Sequence, residues 1–188
     1  MMNLDLVNTD ILDPDTAWTT LPMDTSRLVA QTRLNSPVGP LTLAATERGI
    51  AFLLFQRPVH YDTALDVPHD ASQRWLRAAA DELGEYWQGR MPRRFGVPLD
   101  LQGTAFQQAV WRALLDVPPG HTSTYGAIAR RLGAPQASRA AGAAIGRNPV
   151  AIIVPCHRII GSDGSLTGFA GGLKRKETLL QHEGALLV

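Results

Sequence analysis

Leu28, Ala30, Thr32 and Leu34 alternate with polar neighbours, the period-two pattern of a strand with one buried face. The Ser36-Pro37-Val38-Gly39-Pro40 segment interrupts the pattern, and Leu41, Leu43 and Ala45 resume it. Arg48-Gly49 turns the chain again, into the near-continuous apolar run 50–55. Two tight turns between three short strands predict an antiparallel meander. Ahead of it, residues 1–26 are polar, rich in Asp and Thr and without periodicity, which predicts a loose leader. Behind it, a polar stretch over 57–70 crosses to a helix predicted near 72–88. There Trp75, Ala79, Leu83 and either Tyr86 or Trp87 keep helical spacing. Residues 89–102, with Pro92, Gly96 and Pro98, read as a linker. The expected division is therefore a leader 1–26, an α+β domain 27–88, a linker 89–102 and a second domain 103–188.

The second half has a helical period. Thr104-Ala105-Phe106-Gln107 is a capping-box pattern. Phe106, Ala109, Val110, Ala113 and Leu114 follow on one face until Pro118-Pro119-Gly120 stops the helix. A second helix over about 124–132 places Ile128 and Leu132 together and ends at Gly133. After a turn through Pro135 a third runs over about 136–146, so that the pair forms a candidate helix-turn-helix. Ala137, Ala140, Ala141, Gly142, Ala143 and Ala144 leave the third helix almost without bulk, while Arg139 and Arg147 supply charge. Such a helix can pack tightly against its neighbours with an Arg in solvent. It can equally approach a nucleic-acid backbone, thin enough for a minor groove, with Arg139 projecting.

Composition sharpens that choice. A chain of 188 residues with 45% apolar and 19% charged side chains builds one ordinary domain or two small ones around a real core. Its net charge of +1 argues against a nucleic-acid partner only until the chain is divided. Residues 1–100 carry nine basic and thirteen acidic side chains; residues 101–188 carry nine basic and four acidic. Sixteen of the eighteen cations are Arg, the side chain suited to bidentate phosphate contact. The leader has five Asp and no Lys or Arg over residues 1–26, the wrong sign for a signal peptide, and no apolar run approaches a membrane span. The expectation is a soluble, cytoplasmic protein without a membrane partner.

One cysteine, Cys156, excludes an intramolecular disulfide and a cysteine-based zinc site, so no metal is expected. It lies in Asn148-Pro149-Val150-Ala151-Ile152-Ile153-Val154-Pro155-Cys156-His157-Arg158, where an apolar run, expected to be extended, is stopped by proline just before the thiol. A thiol in apolar surroundings is commonly a small core residue. As a nucleophile it needs a base or nearby positive charge, because an ordinary thiol is only a few per cent thiolate at neutral pH. His157 and Arg158 offer both, with a water to bridge side chains that are adjacent in sequence. His157 read alone is equally a hydrogen-bonded core imidazole, and Glu183 a surface carboxylate. Downstream, Gly161-Ser162-Asp163-Gly164-Ser165 forms a turn. Gly168-Phe169-Ala170-Gly171-Gly172 carries enough glycine for close approach to a flat ligand. Lys174, Arg175 and Lys176 open a last helix over about 173–183, opposing its dipole. They form either a solvated face or a phosphate-facing one.

Pro155-Cys156-His157-Arg158, preceded by Asn148-Pro149 and followed by Gly171-Gly172-Leu173 and His182-Glu183-Gly184, resembles the methylated-DNA–protein-cysteine methyltransferases, also called O6-alkylguanine-DNA alkyltransferases. The Ser36-Pro37-Val38-Gly39-Pro40-Leu41 turn resembles the start of their first domain, so the likeness covers about residues 28–184. It implies a two-domain α+β fold. A ribonuclease-H-like three-stranded antiparallel sheet with helices would precede a helical, winged-helix-like domain with a helix-turn-helix. It further implies repair of O6-alkylguanine, and less readily O4-alkylthymine, in double-stranded DNA by a monomer that can cluster on DNA and uses no cofactor.

By the same resemblance, Cys156 would accept the alkyl group, His157 would take the thiol proton through a water, and Glu183 would orient His157. Tyr125 would lie against the target base and donate to its N3, and Asn148 would hold the turn before the cysteine segment. Arg139 would fill the gap left by the flipped base, with Thr124, Ala137, Ala140, Ala141, Gly142 and Arg147 along the DNA. Tyr125, Ile159, Phe169, Ala170 and Gly171 would line the base pocket. Phe169 stands where Tyr is usual in the family, and Ala170 where some members have Ser. A lesion-binding protein without transfer activity, a helix-turn-helix regulator and a thiol hydrolase are the rival readings. A thioether on Cys156 resists thiol exchange, so one turnover per molecule is expected.

Overall fold

The computed structural model describes residues 24–55 and 70–186. The leader, apart from its last three residues, and the polar crossing at 57–69 lie outside the described residues. The meander is present as β1 (Ala30–Leu34), β2 (Leu41–Thr46) and β3 (Gly49–Phe55), antiparallel and in sequence order. Gly39, at φ 98°, supplies the left-handed residue of the first turn, closed by the Gly39 N–H donating to the Ser36 carbonyl at 2.9 Å. The central strand β2 is buried along its whole length.

Helix α1 (Asp70–Trp87) packs on this sheet through Leu76, Ala79, Ala80, Leu83 and Tyr86. Ala79, Leu83 and, of the two aromatic residues at the helix end, Tyr86 are buried on the predicted face; at its start Leu76 is buried and Trp75 only partly so. Trp75 lies half-exposed, its indole N–H on the Glu47 carbonyl at 3.2 Å.

The segment expected to be a linker is tied to the sheet. The Ile50 N–H donates to the Pro98 carbonyl and the Asp100 N–H to the Ile50 carbonyl, at 2.8 and 2.9 Å. Further along the same strand, the Leu53 N–H donates to the Pro149 carbonyl and the Ala151 N–H to the Leu53 carbonyl, at 3.0 and 2.9 Å. β3 would otherwise present unpaired backbone groups; it is covered by a piece of the connection and by the chain leading to the cysteine.

In the second half, α2 (Ala105–Leu114) starts at the capping box of Thr104 and Gln107, with both reciprocal bonds formed. The pair α3 (Tyr125–Arg131) and α4 (Ser138–Gly146) is joined through Gly133 at φ 70° and a 3₁₀ turn at Pro135–Ala137. Trp111 of α2 is buried beneath α4 and donates its indole N–H to the Ala144 carbonyl at 2.8 Å. Short strands β4 (Ser123–Thr124) and β5 (Ile159–Ile160) pair in parallel, and α5 (Leu173–His182) closes the fold. One continuous apolar cluster runs from Leu34 and Leu43 through Val110 and Ile128 to Ile152 and Leu179, so the halves share a core. Among the described residues no helix is long and apolar enough to cross a membrane.

Candidate active site around Cys156

The run before the cysteine is not the extended segment that its apolar composition predicts. The Ile153 N–H donates to the Ala151 carbonyl at 2.8 Å around Ile152, whose φ is 68°. This is a γ-turn of the rare positive-φ kind, and a β-branched residue occupies it at a cost of order 1–3 kcal/mol. A second three-residue turn follows at Pro155 (φ −82°, ψ 64°), where the Cys156 N–H donates to the Val154 carbonyl at 2.8 Å. Two sharp turns in five residues fold the chain inward, and complete burial of the aliphatic side chains at 150, 152 and 154 holds them there. Periodicity could not show this, because a run buried on every side looks the same in sequence whether extended or folded.

Asn148 organises the result. Its side-chain oxygen accepts from the Val150 N–H at 3.0 Å, and its Nδ2 donates to the Val154 carbonyl at 2.7 Å and to Cys156 Sγ at 3.0 Å. The amide thus ties together the folded segment 150–156 and touches the sulfur itself. Cys156 is only 7% exposed, and burial pushes its thiol pKa up against the opposing pull of Asn148 and the nearby Lys176 ammonium.

Cys156, His157 and Arg158 form a 3₁₀ turn that aims the last two side chains at Glu183, just beyond α5. His157 Nε2 lies 2.8 Å from Glu183 Oε1. Arg158 grips the same carboxylate with Nε on Oε2 at 2.7 Å and Nη2 on Oε1 at 2.8 Å, and donates Nη1 to the Val117 carbonyl at 2.6 Å. Burial pushes the Glu183 carboxyl up, yet the hydrogen bonds from His157 and Arg158 outweigh it and bring its pKa down to about 2. Burial dominates at His157 and lowers its pKa despite Glu183, so the imidazole is neutral. A carboxylate can only accept, so the neutral ring carries its proton on Nε2 and leaves Nδ1 as a bare lone pair. Nδ1 is buried with no partner among the described residues. The residue pair supplies a base with one free nitrogen.

Arg158 is not the cation beside the thiol that its sequence position suggested; its guanidinium is spent on Glu183 and Val117. That cation is Lys176, expected to be solvated or phosphate-facing but fully buried, with Nζ donating to the Ile159 and Thr167 carbonyls. Arg175 is likewise turned inward, bonding the Val38 carbonyl at 2.8 Å and the Gly171 carbonyl at 2.9 Å over the Phe55 ring. Only Lys174 of the three is exposed.

These bonds hold the loop over 161–172 against the site. Tyr125, at the start of α3, donates its hydroxyl to the Thr167 carbonyl at 3.0 Å. Phe169 meets Phe55 edge-on at 5.7 Å, and a Cβ at Gly171 would lie 2.7 Å from Phe55 and 2.8 Å from Phe169, so only glycine fits. Ile159 is fully buried, its carbonyl engaged by Lys176, whereas Ala170 is exposed.

On α4, Arg139, Ala140 and Ala143 are exposed and Gly142 lies against the Tyr125 ring; Ala137 in the preceding 3₁₀ turn and Thr124 in β4 are half-buried. Arg147, just past the helix end, is exposed. Ala141, expected along the DNA, is fully buried in the shared core; it sits on the inward stripe with Ala144 and Ile145 and has no surface to offer a ligand. Thr124 instead caps α3, accepting the Ala127 N–H at 3.1 Å.

Comparison with known proteins gives a consistent picture. Residues 29–101 match the family described as "6-O-methylguanine DNA methyltransferase, ribonuclease-like domain", and residues 105–185 match its "DNA binding domain". A "Methylated-DNA--protein-cysteine methyltransferase" of Methanosarcina acetivorans is 45% identical over 152 residues, 80% of this chain and 95% of that protein. A protein of the same name from Mycobacterium bovis is 46% identical over 150 residues, 80% of this chain and 89% of that one. Among solved structures, Mycobacterium tuberculosis OGT in complex with DNA is similar with a TM-score of 0.72 and 45% identity, over 81% of this chain and 91% of that one.

Proposed function

The chain belongs to the methylated-DNA–protein-cysteine methyltransferase family, and from that membership we propose that it repairs O6-alkylguanine in duplex DNA by moving the alkyl group onto Cys156. The observation that carries this reading is the buried thiol held by Asn148 beside a neutral imidazole whose free Nδ1 is set by Glu183. His157 takes the thiol proton through a bridging water, and the Cys156 sulfur attacks the alkyl carbon. The new bond is carbon–sulfur and the broken one is carbon–O6; guanine leaves with that electron pair and is protonated by a donor aligned with its ring. Tyr125 is the candidate donor, its hydroxyl turning from the Thr167 carbonyl to the base N3. Lys176, buried near the sulfur, favours the thiolate while it exists.

The target atom of a paired guanine is out of reach inside a duplex, so the base must be flipped, at a cost of roughly a few kcal/mol. The exposed small-residue face of α4 fits a minor groove, and Arg139 projects from it to fill the vacated stack. The thioether formed has no route back to a thiol, so each monomer acts once. A helix-turn-helix regulator would use α3 and α4 but leave the buried Cys156–His157–Glu183 arrangement without work.

The test uses duplex DNA carrying one O6-methylguanine. Loss of the lesion with the methyl group mapped by peptide analysis to Cys156, and neither event in Cys156→Ala, is the expected result. Lesion loss that persists in Cys156→Ala overturns the reading.

A further inference from the structure

Tyr86 belongs to the first domain, at the end of α1, yet its hydroxyl donates to Glu183 Oε1 at 2.8 Å. The side chain is fully buried. One residue before Glu183, His182 donates Nε2–H to the Tyr86 carbonyl at 2.9 Å, and the two rings meet edge-on at 4.9 Å. The end of α1 therefore holds two consecutive residues at the end of α5. Glu183 Oε1 is the oxygen that also faces His157 Nε2 and Arg158 Nη2. Three donors divide one carboxylate oxygen.

We propose that Tyr86 is a positioning residue for alkyl transfer: its phenol fixes Glu183 and takes a share of the carboxylate charge, so that the first domain sets the basicity of His157 in the second. The inference rests on the function proposed above. A phenol that withdraws charge from Oε1 leaves less of it to stabilise an imidazolium. With the hydroxyl removed, the same charge concentrates on His157 and Arg158, and His157 becomes harder to deprotonate. The groups facing this network are Tyr86 from α1, Cys156 and Arg158 from the 3₁₀ turn, and Lys176, His182 and Glu183 from α5 and its end. Tyr86 itself stays protonated, since burial and then the Glu183 charge hold its pKa far above the ordinary range.

His157 accepts the thiol proton in its neutral form, so the transfer rate falls as pH drops through the imidazole pKa. The experiment measures the single-turnover rate on O6-methylguanine duplex across that acid limb for the full-length protein and its variants. In Tyr86→Phe the limb should move to higher pH by about one unit, so that the rate at a fixed pH on the limb falls roughly tenfold, the scale of one hydrogen bond to a charged group. Tyr86→3-fluorotyrosine keeps the side chain and sharpens the donor, so it should move the limb the other way; it also serves if the Phe variant fails to fold. His182→Ala, which loosens the same contact without touching the hydroxyl, should leave the limb in place. An unmoved limb in both Tyr86 variants overturns the proposal, including the case in which Tyr86→Phe is merely slower. Absence of methyl transfer by the unaltered protein would instead count against the proposed function.

Discussion

Lys176 and Glu183 stand seven residues apart, on the same side of the last helix as Leu179 and Leu180, and each neutralises a different part of the site. Glu183 has a folded-state pKa of about 2 against an ordinary 4.5, so its ionised form stabilises the fold above pH 4.5 and that contribution is lost as pH falls toward 2. The shift corresponds to about 3 kcal/mol. His157, whose pKa is lowered by burial, works in the same direction: its neutral form favours the fold above about 6.5, and stability declines as pH falls below that value. Glu183→Gln should cost about 3–5 kcal/mol at neutral pH, because Arg158 stays buried without its counter-ion. It should also flatten the acid-side slope, both read from denaturant unfolding at a series of pH values; an unchanged slope would refute the assignment. Cys156, His157, Asn148 and Glu183 were legible from the motif. Lys176 was not, although its i+3 and i+4 spacing to Leu179 and Leu180 marked an inward face, because a lysine at a helix start reads as solvated until its two carbonyl partners are seen.

At the scale of elements, the strands, the capping box and the helix pair follow from pattern, since each has one buried face with its own period. The cysteine segment does not, because two γ-turns buried all round carry no period, and what bends them is the edge of β3 together with the Asn148 amide. Helix α4 shows a finer limit: its alanines look alike in sequence, but Ala141 is buried in the core while Ala140 is exposed. Ala141→Leu should overpack the core and cost about 1–3 kcal/mol by thermal or denaturant unfolding. Ala140→Leu should leave stability within experimental error and, on the α4–duplex contact proposed above, weaken duplex binding in a titration by holding the thin face away from DNA. The reverse assignment of effects would show that the buried and presented faces of α4 have been exchanged.

Over the whole molecule, the net charge of +1 conceals an acidic first half and a basic second half, and the two are not independent bodies. They share one apolar cluster, a backbone pairing between β3 and the cysteine segment, and the Tyr86–Glu183 bond. Cross-domain contacts of this kind depend on residues almost a hundred positions apart, which no local pattern reveals. The result is a scaffold that spends its rigidity on one sulfur atom: turns, amide, base and carboxylate converge on Cys156, and nothing in the proposed chemistry restores the thiol. Each chain should therefore accept one alkyl group and stop. Intact-mass measurement of the protein with a several-fold excess of O6-methylguanine duplex tests it directly. The expected result is a plateau at one added methyl per chain, with unrepaired lesion remaining; continued lesion loss beyond one equivalent, or protein of unchanged mass, would overturn single-use transfer to Cys156.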